Sequence, residues 1–242
     1  MRELHLLVFV RQILKNINLS VGGGKIIGLL GRNGQGKTTL IKLINDLLTP
    51  TSGQVLINGK APGIESKKSI AYLPERTYLD KSMTVKQTIK YFAEFYDNFD
   101  ENKAVRLLKD LDLDINQKLT KMSKGMLEKV QLILVMSRNA ELYILDEPLG
   151  GVDPAKRDYI LDTIFSDCNE GASVIISTHL IADIERILDE VIFLEKRYKC
   201  RLIYYKKFLT RWFIHRVFLL LYSININIDR KYTAMILLIS FN

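Results

Sequence analysis

The sequence predicts an α/β fold built on a mixed or parallel sheet and interrupted by a helical insert. Apolar runs suited to strands alternate with stretches of helical spacing over the first 195 residues. After residue 140 the runs Leu142-Tyr143-Ile144-Leu145 and Val174-Ile175-Ile176 are apolar throughout, which suits strands buried on both faces of a parallel sheet. Between residues 74 and 140 the signal is helical only, which puts the insert at about 76–138.

Strands are predicted at 4–9, 17–21, 25–30, 54–58, 69–73, 141–146, 172–177 and 191–194. Helices are predicted near 37–48, 84–96, 101–111, 123–138, 154–168 and 180–189. The start, Met1 to Val10, is apolar but carries Glu3 and no small-residue cleavage site, so it reads as a strand and not as a secretion signal. Leu40, Ile41, Leu43, Ile44, Leu47 and Leu48 give the first helix its apolar spacing. Thr84 and Gln87 form a capping box ahead of Val85, Ile89, Phe92 and Phe95 or Tyr96. Asp100 caps a helix carrying Val105, Leu107, Leu108 and Leu111. Ser123 caps one carrying Leu127, Val130 and Leu134, and Asp153-Pro154 opens the next as N-cap and N1 proline.

At 242 residues and 48% hydrophobic content the chain can form one large α/β domain, or one with a small insert. Cys168 and Cys200 lie far apart and in no metal-binding spacing, which suits a reducing cytosolic compartment. No run reaches the roughly 18 consecutive apolar residues that a membrane span demands, so a soluble chain is expected. The net charge of +8 is unevenly spread. Residues 196–242 hold ten Lys/Arg and one acidic residue, Asp229, a net +9, whereas the preceding 195 hold 25 basic and 26 acidic residues, a net −1. Basicity that would otherwise point to nucleic acid or an anionic membrane therefore belongs to the tail.

Chemistry is written most clearly in Gly31-Arg32-Asn33-Gly34-Gln35-Gly36-Lys37-Thr38, which spells G-x-x-x-x-G-K-T after the apolar run Ile26 to Leu30. A buried strand, a glycine-rich turn and a helix start, in that order, aim backbone N–H groups at phosphate oxygens. Lys37 reaches the β/γ-phosphates, and the Thr38 hydroxyl suits Mg²⁺. The candidate nucleotide-binding segment runs from Gly31 through Thr39. A second element, Asp146-Glu147, ends the apolar run at 142–145. Alone it would suit a solvated strand end. Beside a phosphate loop, Asp146 is suited to hold Mg²⁺ and Glu147 to orient or deprotonate an attacking water.

In order and separation these motifs resemble the ATP-binding subunit of an ABC transporter over roughly residues 1–195. The resemblance is carried by the phosphate loop, the helical insert, Met122-Ser123-Lys124-Gly125-Met126, Leu145-Asp146-Glu147-Pro148 with Gly150-Gly151-Val152-Asp153, and His179 after Ser173 to Thr178. It implies a P-loop NTPase with a RecA-like core and an ABC-type helical subdomain. It further implies ATP with Mg²⁺, a head-to-tail homodimer or heterodimer sandwiching two ATP molecules, and an integral-membrane permease as partner. Ser123 and Gly125 would then meet the partner subunit's γ-phosphate, His179 would contact the γ-phosphate of its own site, and Asp153 would lie in a loop crossing the dimer interface. The resemblance places the subunit at the inner face of the cell membrane through its membrane partner.

The chain departs from the family pattern at four places. Lys124 and Met126 replace a glycine and a glutamine, a variant like those of drug, peptide or bacteriocin exporters. Glu75, after Leu73-Pro74, stands where the family has a metal-ligating glutamine, and its oxygen can serve the same purpose. Phe9 is the only aromatic residue near the expected adenine platform, and it reads equally as a core residue. After Leu194 the family's glycine turn is missing, and residues 196–242 run without a glycine or proline. That tail reads as a shifted reading frame of an A/T-rich gene, as a basic, aromatic appendage for lipid or nucleic acid, or as a membrane-side helix around 208–221. The competing function is a nucleic-acid-associated ATPase using the tail. The stretch from 74 to 140 is too short for the coiled coil or DNA-binding domains of such relatives, so no specific nucleic acid is expected.

Overall fold

The computed structural model describes residues 3–10, 14–166, 168–179, 184–195 and 199–204. The expectations for 180–183, 196–198 and 205–242 lie outside the described residues. In chain order the elements are β1 (Glu3–Val10), β2 (Leu14–Gly22), β3 (Ile26–Leu30), α1 (Lys37–Ile44), β4 (Ser52–Ile57), α2 (Ile64–Ser69) and β5 (Ile70–Leu73). There follow α3 (Val85–Phe95), α4 (Glu101–Asp110), α5 (Lys124–Met136), β6 (Leu142–Asp146), α6 (Pro154–Phe165), β7 (Ser173–Ser177), β8 (Glu190–Glu195) and β9 (Lys199–Tyr204).

Two sheets result. β2, β1 and β4 form a three-stranded antiparallel sheet, and the other six strands lie in the order β5-β6-β7-β3-β8-β9. Within the larger sheet β5, β6, β7, β3 and β8 are parallel, and β9 runs antiparallel along the edge of β8. The apolar runs end up where their composition requires. Every residue of β6 and β7 is buried, and Ile27, Leu29, Leu40, Ile41, Ile44, Ile144 and Ile175 share one core between the sheets and α1. Register brings the strand ends level, because Leu73 pairs with Leu145, Asp146 with Ser177, and Leu29 with Ser177. The loops after β3, β5, β6 and β7 therefore leave from one rim, where ligands bind in open parallel sheets.

Three differences from the sequence-based expectation have local causes. α1 stops at Ile44, not 48, because Asp46 takes φ 55° and the Leu47 N–H turns back to the Lys42 carbonyl, which leaves Leu47 and Leu48 exposed. α2 has no apolar face and buries no residue, so periodicity carried no sign of it. Of the helix expected over 180–189, the described residues show a 3₁₀ turn at Glu185–Ile187, followed by β8 from Glu190.

The insert is fastened to the sheet by Arg138, which is buried. Its guanidinium donates to the carbonyls of Ile70, Lys67 and Lys68, its Nε to Asn98 Oδ1, and the ring of Tyr96 lies 4.0 Å from it. Charge-assisted donation to neutral acceptors orients α2, the α3–α4 turn and the end of α5 together. Arg138→Met keeps the volume and removes every donor. A urea unfolding midpoint should report a loss of about 3 kcal/mol, the cost of leaving buried carbonyls unsatisfied. A loss below about 0.5 kcal/mol would show that the network contributes nothing to stability.

Candidate functional site

The phosphate loop leaves β3 at Gly31, where φ is 157° and a Cβ would meet the Leu194 carbonyl at 2.7 Å. At the other end Gly36 takes φ 99° and begins α1 with no side-chain cap. Neither position accepts a side chain readily, and the uncapped N–H groups of α1 are left for an anion. The turn is held from within. The Arg32 N–H donates to Gln35 Oε1 at 2.6 Å, and the Gln35 N–H to the Arg32 carbonyl at 3.2 Å. Lys37 is buried, and its Nζ donates to the Gly31 carbonyl at 2.7 Å, so its ammonium folds back over the loop. Arg32, Asn33, Gly34 and Thr38 are exposed, and Thr39 is half-buried.

Asp146 ends β6 at 3% exposure, and the Thr38 hydroxyl donates to its Oδ2 at 3.3 Å. Burial pushes the Asp146 carboxyl above the usual carboxylate range. The hydroxyls of Ser177 and Thr38 act against that shift, and the charges of Glu75 and Glu147 add to it. A buried carboxylate whose ionised form is disfavoured, beside a hydroxyl from another element, suits a hard divalent cation that would restore its charge. Among the described residues no group of three or more His, Cys, Asp or Glu could hold a metal. Glu75 follows β5 on an exposed loop, and its charge reaches Asp146 and Tyr72, whose phenol burial pushes up to about 12.

Glu147 takes φ 54°, a left-handed conformation that costs a non-glycine residue roughly 1–3 kcal/mol. Hydrogen bonds hold it there. Its N–H donates to the Ser177 carbonyl at 2.7 Å, Thr178 Oγ1 donates to its Oε2 at 3.2 Å, and His179 Nδ1 meets the same oxygen at 2.9 Å. The carboxylate is thereby aimed by two residues just after β7. Lys37, Thr38, Asp146, Glu147 and His179, which span much of the chain, are brought to one rim of the sheet.

Ser123 and Gly125 find their neighbours elsewhere. Ser123 caps α5, its Oγ accepting from the Met126 N–H at 3.3 Å, and a Cβ on Gly125 would lie 2.5 Å from the Gly151 carbonyl. Asp153 caps α6 by accepting from the Ala155 N–H at 3.0 Å. Phe9 sits in β1, its backbone opposite Ser52, and its side chain lies outside the described residues.

Three contributors were missed in the sequence. Thr178 grips Glu147, and Glu128 accepts from the Gly151 N–H at 2.5 Å. Gln131, buried on α5, donates to the Pro74 carbonyl at 3.2 Å, just before Glu75. A lone polar residue inside the apolar stretch 130–136 was the one available signal.

A family model described as ABC transporter matches residues 14–150. The ABC transporter ATP-binding protein YtrB of Bacillus subtilis is 32% identical over 200 residues, covering 81% of this chain and 68% of that protein. The SkfA peptide export ATP-binding protein SkfE of the same organism is 32% identical over 185 residues, covering 74% and 77%. A solved ATP-binding subunit of an ABC transporter superposes with a TM-score of 0.72 at 29% identity, covering 84% of this chain and 90% of that one. A bacterial Atm1-family ABC exporter with ATP bound gives a TM-score of 0.72 at 18% identity, a likeness of fold.

Proposed function

The chain belongs to the ABC transporter family as an ATP-binding, ATP-hydrolysing subunit, and from that premise we propose that it powers export as one half of a dimer that closes around two ATP molecules. The observation that carries this reading is the gathering of Lys37, Thr38, Asp146, Glu147 and His179 at the level ends of β3, β6 and β7. Residues 31–39 bind the triphosphate through N–H groups, with the Lys37 ammonium between β- and γ-phosphates. Thr38 and Asp146, with Glu75 beside them, would hold Mg²⁺, which would supply charge neutralisation at the phosphates. Glu147 accepts a proton from the attacking water, and His179 and Thr178 keep its carboxylate in line. Positioning and charge neutralisation supply most of the rate. Residues 1–195 act as the ATP-binding domain, with the helical insert at about 76–138, and β9, from just beyond that span, adds an edge strand beside β8.

Export is favoured by the segment Ser123-Lys124-Gly125-Met126 and by the similarity to SkfE, which is named for peptide export. A membrane permease subunit completes the transporter and keeps this subunit at the cytoplasmic face of the membrane. Among the described residues no helix is long and apolar enough to cross a membrane, so the pathway would lie in that partner. Lys37→Ala tests the nucleotide site. Losing one charge-assisted contact of about 2 kcal/mol should weaken ATP binding by about 30-fold in a calorimetric titration. Unchanged affinity would remove Lys37 from the phosphate site.

A further inference from the structure

Glu128 lies in the second turn of α5, one turn after Gly125, and is 16% exposed. A carboxylate beside a site that is to receive a phosphate is repelled by it unless its charge is engaged. Here it is engaged on both oxygens. Oε2 accepts from the Gly151 N–H at 2.5 Å, and the Lys124 ammonium lies 3.6 Å from Oε1. The approach is close because both facing positions are glycines. A Cβ on Gly151 would run into the Glu128 carboxylate, and one on Gly125 into the Gly151 carbonyl. The fastened turn is itself compact. It starts at Glu147, whose carbonyl accepts from the Gly150 N–H at 3.3 Å, closes through the Val152 N–H to the Leu149 carbonyl at 3.1 Å, and ends at Asp153 on α6.

We propose that Glu128 is a positioning residue for ATP hydrolysis: it ties the turn from Glu147 to Asp153 to the start of α5, so that Glu147 and Ser123 move as one body. This rests on the shared-site reading above, since Ser123 acts there on the partner's nucleotide. A rigid link would let closure at Ser123 set the Glu147 carboxylate, and hydrolysis would wait for the dimer. The charge itself is not needed; an acceptor at the right reach is.

Four full-length chains test this: parent, Glu128→Ala, Glu128→Gln and, as a control, Glu147→Gln. ATP affinity at low protein concentration, kcat and KM are read for each, with a thermal midpoint for folding. Glu128→Ala should lower kcat about 10- to 30-fold with ATP affinity and KM within twofold, and Glu128→Gln, which keeps an acceptor, should return to within threefold of the parent. Folded Glu128→Ala with kcat within twofold of the parent overturns the inference, as does a Gln variant no better than Ala. Should Glu128→Ala not fold, Glu128→Gln against Glu128→Asp, one methylene too short to reach Gly151, decides on the same readouts. A parent that hydrolyses ATP while Glu147→Gln does not, with Glu128→Ala fully active, sinks this inference alone. A parent and Glu147→Gln that turn over equally sink the proposed function, and this inference with it.

Discussion

Glu147→Gln is expected to leave ATP binding intact and to lower turnover by about 10²- to 10⁴-fold, the range of a lost general base. The amide keeps the length and shape of the carboxylate and still offers an acceptor to Thr178 or His179. The left-handed backbone at 147 costs glutamine no more than glutamate, so the fold should be unchanged. What is lost is the basic oxygen alone. Single-turnover hydrolysis and a binding isotherm, measured on the same preparation, separate the two effects. Equal turnover in variant and parent would remove Glu147 from the chemistry.

Gly125→Asp should abolish most hydrolysis, by about 10²-fold or more, while ATP affinity of the monomer stays within about twofold. From the motif alone the expected reason is close approach of α5 to a phosphate. The structure adds a second, since any Cβ at 125 lies 2.5 Å from the Gly151 carbonyl and must displace the turn that leads to Asp153. Gly125→Ala separates the causes, because it carries the clash without the charge. A loss shared equally by Ala and Asp assigns the effect to the turn, and a further loss in Asp assigns the remainder to repulsion of phosphate. Normal turnover by a monomeric Gly125→Asp chain would contradict the shared-site model.

The alternation of strands and helices was legible in the sequence because β6 and β7 carry apolar runs at the centre of the sheet and α3, α4, α5 and α6 each carry a cap. Thr84 with Gln87, Asp100, Ser123 and Asp153 all cap the helices they were expected to cap. α2 was not legible, since a short helix that buries nothing leaves no pattern. Nor was β9, whose residues Lys-Cys-Arg-Leu-Ile-Tyr mix charge and apolarity and gain their partner only from β8. In the site, the phosphate loop and the acidic pair could be read because their chemistry is local to a few consecutive residues. The strained φ of Glu147, the Thr178 hydroxyl on its carboxylate and the Glu128–Gly151 tie depend on residues brought together by the sheet rim and by α5. No spacing encodes such contacts.

ATP is expected to close two copies, or this chain and a second ATP-binding subunit, around a site neither completes alone. Sedimentation of the Glu147→Gln chain, of 27.9 kDa as the parent is, tests it most directly, because a variant that binds but does not hydrolyse holds the closed state. With saturating ATP and Mg²⁺ a homodimer should appear at twice the monomer mass, and removing either ATP or Mg²⁺ should return it to monomer. A chain that stays monomeric with ATP bound, while the parent hydrolyses ATP at a rate strictly proportional to its concentration, would show that one chain alone completes the site.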